Sequence, residues 1–295
     1  MDNNTVGNSS LISKEEEQVA QLLREQNLAH KNATAAAVHP KDTFYTRHGK
    51  RCLDFIIGLI FFVILLPVNL ILAVCTFFDV GRPILYKQTR AGKDGKPFTM
   101  VKFRNMNEKK DADGKLLPPS KRVTKFGRAV RKLSLDELLN FWSVLKGDMS
   151  IIGPRPQPVF IHERMCDRHR MRTAVRPGLE CPRVIHVPGE EICKFQRTFE
   201  NDVWYVENVS LLLDIKMLWR LVRMVFTFKK RGQQAAGKGI SYFVGYDENG
   251  VAISLNVYHE MQEKKQQEAA NSENSAQPEH SESKAESISD STIES

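Results

Sequence analysis

Asp136 and Glu137 stand side by side in "RKLSLDELLNF", residues 131–141, behind Arg131 and Lys132 and ahead of an apolar run. Two adjacent carboxylates flanked by cations have the makings of a reaction centre. One carboxylate can act as a covalent nucleophile while another holds a hard divalent cation. The same letters also spell a helix start. Ser134 followed three residues later by Glu137 is a capping box, in which the serine oxygen accepts the Glu137 amide and the glutamate reaches back to the Ser134 amide. Asp136 in the first turn suits the positive end of the helix dipole. On these residues alone both readings stand, and either one predicts a helix over 134–146.

The elements that must position this pair form an α+β domain over 83–232. Residues 84–106, "ILYKQTRAGKDGKPFTMVKFRNM", carry β-prone runs on either side of Asp94-Gly95, a hairpin signal. Lys102 and Arg104 alternate with Val101 and Phe103, as in a strand with one basic, solvated face. "GDMSIIGPRPQP", residues 147–158, has two glycines and three prolines and predicts a loop. Within it Arg155 is either a loop anchor or a phosphate contact, and Asp148 either a cap or a second metal ligand. A helix near 159–173 and an irregular stretch over 176–193 are expected to follow.

The strongest physical signal lies earlier. Phe55 to Phe78 is a run of 24 residues without a charge, about 36 Å as one helix against roughly 30 Å of hydrocarbon. Such a segment belongs in a membrane, and it defines a membrane-inserted unit over 47–82. Pro67 at its middle removes a backbone donor and clashes with the Val63 carbonyl. Cations stand on both flanks, Lys50 and Arg51 among those before it and Arg82 and Lys87 among those after. A spanning helix should have one flank poorer in cations; a kinked span and a helix that breaks at Pro67 and returns to the same face are both open. Residues 208–230 form a basic amphipathic helix, with Lys216, Arg220 and Arg223 on one face and Leu213, Met217, Leu221 and Met224 on another. It suits a membrane surface with Trp219 at the interface, or equally a core helix with a solvated side.

The termini read differently from the body. Residues 1–46 are a mobile extension in which Ser13 and Glu16 cap a short exposed helix, and the polar first 48 residues hold no signal peptide. Asn249-Gly250 marks a small hairpin within 233–258. The stretch 259–295 has nine acidic residues against three lysines, a net of −6, and is expected to be a disordered tail. The formal charge of +8 therefore conceals a body of +14, which calls for an acidic partner: anionic lipid, a phosphorylated substrate or nucleic acid. No nucleic-acid recognition module accompanies the charge, so nucleic acid is not expected. The five cysteines, at 52, 75, 166, 181 and 193, contain no Cys-x-x-Cys pair. That argues for reduced thiols and against a disulfide framework or a structural zinc, including one on Cys181, His186 and Cys193.

Read together, the Lys50-Arg51 pair before a proline-broken apolar segment, "KFRNM", "FGRAVRKLSLDELLN", "LKGDMSIIGPRP", "VRPG" and "DVWYVENVSLLLDIK" resemble the bacterial sugar transferase family, the monotopic polyprenyl-phosphate phosphoglycosyl transferases. The likeness covers roughly residues 45 to 230. It implies transfer of a phosphosugar from a nucleotide diphosphate sugar, UDP-linked by expectation, to undecaprenyl phosphate, starting a surface or secreted glycan. It implies Asp136 as the nucleophile of an aspartyl-phosphosugar intermediate, Glu137 as a Mg²⁺ ligand, and Arg131 and Arg155 as phosphate contacts, with Lys102 and Arg104 as further candidates. It also implies a re-entrant membrane helix at the bacterial inner membrane with the catalytic domain facing the cytoplasm; a homodimer is an open expectation.

The chain departs from the family pattern in two places. Leu66 stands where a serine usually precedes the proline. After Arg-Pro-Gly, "LECPRVIHVPGE" replaces the usual T-G-x-x-Q-x-x-G-R, with Arg183 a candidate substitute for the lost arginine. These departures keep a second reading alive, a non-catalytic membrane scaffold of the same fold that recruits glycan-assembly enzymes.

Overall fold

The computed structural model describes residues 12–114, 116–117, 119–183, 194–226 and 241–275. Helix α1, Lys14–Thr34, opens the described chain and is capped as its sequence predicts, Ser13 Oγ accepting from the Glu16 amide at 3.0 Å. It is not a free extension, however. Glu16, Ala20 and Leu23 are buried, because the side chains spaced three and four apart form a stripe that packs on a strand near the other end of the chain.

A π-type turn, Tyr45–Gly49, leads into α2, Lys50–Ile64, and then α3, Leu66–Val80. Neither is long and apolar enough to cross a membrane singly; the pair is bent by 55° at the break. Pro67 falls in the first turn of α3, where its missing donor is harmless. The Leu65 amide closes the end of α2 on the Phe61 carbonyl. Both outer ends of the pair are tied to the rest of the fold. Lys50 Nζ lies 2.6 Å from Asp214, and Arg51 donates to the carbonyls of Val144 and Leu145 at 2.6 and 2.8 Å. At the far end Thr124 Oγ1 donates to Asp79 at 2.6 Å, and Arg104 donates to the Val80 carbonyl. Lys50 and Arg51, expected at the lipid flank, are thus spent inside the protein, since a buried carboxylate and unpaired helix-end carbonyls need donors more than lipid does.

Strands β1, Leu85–Ala91, and β2, Pro97–Phe103, pair antiparallel as the Asp94-Gly95 signal predicts, both turn residues taking positive φ, 55° and 73°. Helices α4, Pro119–Arg122, and α5, Lys125–Lys132, precede the carboxylate pair. The single helix predicted over 134–146 is instead a 3₁₀ turn, Leu135–Glu137, followed by α6, Asn140–Lys146. Ser134 adopts φ 57°, ψ 26° and makes no capping bond, so the capping box does not form. The left-handed step turns Leu135, Leu138 and Leu139 onto a cluster of Leu72, Phe103 and Val130, and that burial outweighs a cap worth about 1 kcal/mol.

Within the expected loop 147–158, β3, Ser150–Ile152, pairs parallel with β4, Gly178–Glu180. The expected helix near 159–173 is broken into α7, Val159–Glu163, α8, Asp167–Arg170, and a 3₁₀ turn, Met171–Ala174. The break falls at Cys166, whose amide is taken by the Tyr246 hydroxyl at 3.0 Å. Helices α9, Lys194–Asn208, and α10, Leu211–Phe226, follow.

On α10 the Leu213, Met217, Leu221 face is core, with Met217 fully buried. A second apolar face, with Leu212 78% and Trp219 64% exposed beside Leu211 and Ile215, points outward; Met224 lies outside the described side chains. Strands β5, Phe243–Tyr246, and β6, Ala252–Ser254, form the hairpin signalled by Asn249-Gly250. The body of the fold ends at Leu255. Helix α11, Leu255–Ser275, corrects the expectation of disorder across its length, since Gln, Glu, Lys and Ala are good helix formers and Glu260 stands four residues before Lys264.

Candidate active site

The fold brings the two carboxylates to one place with four basic residues, Arg90, Lys102, Arg131 and Arg155. The 3₁₀ turn presents Asp136, which is only 6% exposed and accepts from Asn105 Nδ2 at 3.0 Å, just beyond β2. Asn105 is fixed in turn by Gly127 on α5, which lies so close to the Asn105 carbonyl that no side chain fits. Glu137 pairs with Arg155 at 2.5 Å, and Arg155 donates also to the Leu179 carbonyl at 3.2 Å. The loop carrying Arg155 is held from behind. Arg172 donates to the Arg155 carbonyl at 2.8 Å and forms a wholly buried ion pair with Asp202 of α9.

The electrostatics separate the two acids. Burial, and next the neighbouring charge of Glu137, raise Asp136 above the ordinary carboxylate range, with Lys102 and Arg131 pulling the other way. Burial also disfavours the charge of Glu137, but the Arg155 guanidinium more than offsets this and holds its carboxyl below the usual value. Divergent environments suit adjacent acids to different tasks. Lys102 is only partly solvated: burial depresses its ammonium against the pull of Glu137 and Asp136, and it sits 5.4 Å over the Tyr86 ring. Arg131 is depressed by burial and favoured by Asp136. Arg90 is brought down to about 10, by burial first and then by Arg155.

Of the residues singled out in the sequence, the fold therefore brings together Asp136, Glu137, Lys102, Arg131 and Arg155. Arg104 is turned away, to Val80 and to Glu108 at 3.2 Å. Arg183 contributes its carbonyl to Arg220 of α10 at 2.8 Å, and most of the atypical stretch after it lies outside the described residues. Asp148 pairs with Lys146 at 2.6 Å. Among the described residues no group of three or more His, Cys, Asp or Glu could hold a metal, and Cys52, Cys75, Cys166 and Cys181 are free thiols.

Residues 45–228 match the bacterial sugar transferase family. The chain belongs to that family. Among curated relatives, an uncharacterised sugar transferase of Bacillus subtilis, EpsL, is 44% identical over half of this chain and 71% of its own length. A UDP-N-acetylgalactosamine-undecaprenyl-phosphate N-acetylgalactosaminephosphotransferase of Aeromonas hydrophila is 34% identical over 60% of this chain and 44% of its own. A UDP-glucose:undecaprenyl-phosphate glucose-1-phosphate transferase of Klebsiella pneumoniae is 33% identical over 59% and 39%. The match thus takes in less than half the length of the latter two.

The sugar transferase segment runs from the turn before α2 to the end of α10, so α1 and the β5–β6 hairpin lie outside it. Within it the sequence reading passed over Arg90, read only as one of several cations after the apolar run, and Asn105, hidden inside "KFRNM". It also missed Arg172 and Asp202, which are far apart in sequence. Asp214 on α10 was missed as well: it gathers Lys50, the Tyr45 hydroxyl at 2.6 Å and the Tyr205 hydroxyl at 2.7 Å.

Proposed function

We propose that this sugar transferase moves a sugar phosphate from a UDP-sugar to undecaprenyl phosphate through a covalent intermediate on Asp136. What carries the reading is the pairing of a buried, basicity-raised Asp136 with a Glu137 held ionised by Arg155. Deprotonated Asp136 attacks the phosphorus that bears the sugar, and the bridging oxygen leaves with UMP. In the second half an oxygen of undecaprenyl phosphate attacks that same phosphorus, the aspartyl oxygen departs, and the carboxylate is restored. Splitting the transfer lets a water-borne donor and a lipid-borne acceptor use one nucleophile in turn.

Repulsion between Asp136 and an anionic diphosphate amounts to about 4 kcal/mol per charge pair at 4 Å and an effective dielectric of 20, so cations must offset it. Lys102 and Arg131 stand beside the nucleophile. Arg155, its side chain 42% exposed, offers a fork that fits phosphate oxygens. Mg²⁺ is commonly held by one or two carboxylates with substrate phosphates completing its shell. Glu137, with no third acidic ligand beside it among the described residues, fits that mode, and the ion when bound would neutralise phosphate charge. The two ends of the bent α2–α3 pair, both fastened to the catalytic body, support re-entry over a span, since a span would part them across the bilayer. The outward Leu212–Trp219 face of α10 suits the same membrane surface, with the catalytic domain on its cytoplasmic side.

Full-length protein in detergent, given undecaprenyl phosphate, Mg²⁺ and a panel of UDP-sugars, releases UMP with at least one donor. Asp136→Asn abolishes that release, and intact-protein mass spectrometry without acceptor finds wild-type chains heavier by one phosphosugar. Release undiminished in Asp136→Asn overturns the mechanism.

A further inference from the structure

Helix α3 has two faces in different surroundings. Asn69, Leu72 and Thr76 are buried on one, whereas Val74, Phe77 and Phe78 are exposed on the other. Just past the helix Gly81 takes φ 70°, and this left-handed step turns the chain so that Arg82, Pro83 and Ile84 run beside the last turns of α3. Between helix and returning chain lies an apolar cleft of about 810 Å³, lined by Ala73, Val74, Phe77 and Phe78 on one side and by Pro83 and Ile84 on the other. Its size is typical of a small-molecule site.

Arg82 is the charged residue of that lining. Its guanidinium lies 5.7 Å from the centre of the Phe77 ring, is exposed, and makes no hydrogen bond or ion pair among the described residues. The neighbouring cations are already engaged: Lys50 and Arg51 bond within the fold at the other end of the bent pair, and Arg104 is held by Val80 and Glu108. Arg82 is left to meet a ligand.

The cleft shares its walls with the catalytic turn. Ala73 packs in the cluster that holds Leu135, Leu138 and Leu139, the leucines on either side of Asp136 and Glu137. The Ile84 carbonyl accepts from the Arg104 amide at 2.9 Å, and the next residue, Asn105, donates to Asp136 at 3.0 Å. An apolar cleft bearing one unpaired guanidinium suits a long hydrocarbon with an anionic head, since a guanidinium fork fits phosphate oxygens and apolar walls draw the chain from water.

We propose that this cleft seats the lipid acceptor, with the isoprene units nearest the head lying between Val74 and Ile84 and the phosphate paired with Arg82 before it passes to Asp136. Bilayer phospholipids offer the same phosphate and hydrocarbon, but walls shared with the Asp136 turn favour the acceptor. The assignment rests on the proposed reaction for the identity of that lipid.

The test uses full-length protein in detergent, with undecaprenyl phosphate as the probe in both steady-state turnover and native mass spectrometry. Arg82→Gln raises the KM for undecaprenyl phosphate about tenfold, as loss of one charge-assisted contact does, and Val74→Trp, which fills the cleft, raises it likewise. Arg82→Lys, which keeps the charge, recovers part of the loss. The donor KM, the Tm and the rate at which the phosphosugar adduct forms without acceptor stay at wild-type values, because the first half of the reaction does not use the cleft. An unchanged acceptor KM in both Arg82→Gln and Val74→Trp overturns the assignment, as does a parallel rise in both KM values or a slowed adduct. Variants that bind phosphatidylglycerol vesicles less well while keeping the wild-type acceptor KM give the cleft to the bilayer and overturn it too. A wild type that turns over beside unaltered variants sinks this inference alone; a wild type that retains undecaprenyl phosphate through Arg82 in native mass spectrometry but forms no adduct sinks the proposed reaction and leaves the cleft standing.

Discussion

Asp136, the proposed nucleophile, is placed where its charge is costly. Burial and Glu137 lift its basicity, which strengthens it as a nucleophile once it is ionised, and Lys102 and Arg131 limit the rise. Removing a cation should therefore move the ionisation itself. In Lys102→Met the acid limb of the pH–rate profile for UMP release shifts to higher pH, because a group that lowers the Asp136 pKa is gone. The plateau also falls, because the donor phosphates lose a counter-charge. An acid limb that stays in place in Lys102→Met removes Lys102 from the nucleophile's surroundings. Lys102 acts on both acids, and the two differ in basicity because, among the described residues, only Glu137 is also hydrogen-bonded to a guanidinium, that of Arg155.

At the scale of elements, the site depends on how closely α5 approaches the strand end. Gly127 allows the Thr124-capped start of α5 to press on the Asn105 backbone, and Asn105 then reaches Asp136. A methyl group there forces the two apart. Gly127→Ala is expected to lose about 1–3 kcal/mol of stability, the usual cost of overpacking, measured as a fall in Tm. The same variant is expected to lose UMP release at temperatures where it remains folded, because Asn105 no longer holds the carboxylate. Full activity in folded Gly127→Ala would mean that the Asn105 contact is idle. The α2–α3 pair obeys a similar logic: Pro67 sets where the helix breaks, while Asp79, Val80, Lys50 and Arg51 set where its ends are fastened.

In the molecule as a whole, α1 and the hairpin are joined to the family fold through a buried polar latch. The Tyr246 hydroxyl meets His169 Nδ1 at 2.8 Å, and His169 Nε2 meets Glu200 at 2.9 Å, with Arg168 also on Glu200. Burial works to raise Glu200, but hydrogen bonds from His169 and Arg168 bring it down to about 2. Burial works against the His169 charge, yet hydrogen bonding with Cys166 and Glu200 raises it above its ordinary 6.5. A depressed acid stabilises above its unfolded value and loses that contribution as pH falls toward the folded one. A raised base stabilises below its unfolded value and loses it as pH climbs through the folded one. The latch is therefore strongest between about pH 4.5 and 6.5. The Tm difference between wild type and His169→Gln is expected to be largest in that window and to shrink toward alkaline pH; a difference that grows with pH contradicts the arrangement.

The sequence by itself determined the local matters: the apolar run and its break at Pro67, both hairpins with their Asp-Gly and Asn-Gly turns, the Ser13 cap and the carboxylate pair. Each depends on residues within a few positions of one another, where backbone sterics and periodicity decide. Tertiary structure decided which possibilities were realised. Ser134 gave up its cap because three leucines could be partly buried against Leu72, Phe103 and Val130, and Lys102 became partly buried near both acids. Lys50 and Arg51 went to Asp214 and to helix-end carbonyls, and the N-terminal helix found its partner more than 200 residues away at the hairpin. Those outcomes turn on burial and charge pairing between distant segments, and such energies exist only once the chain has closed on itself.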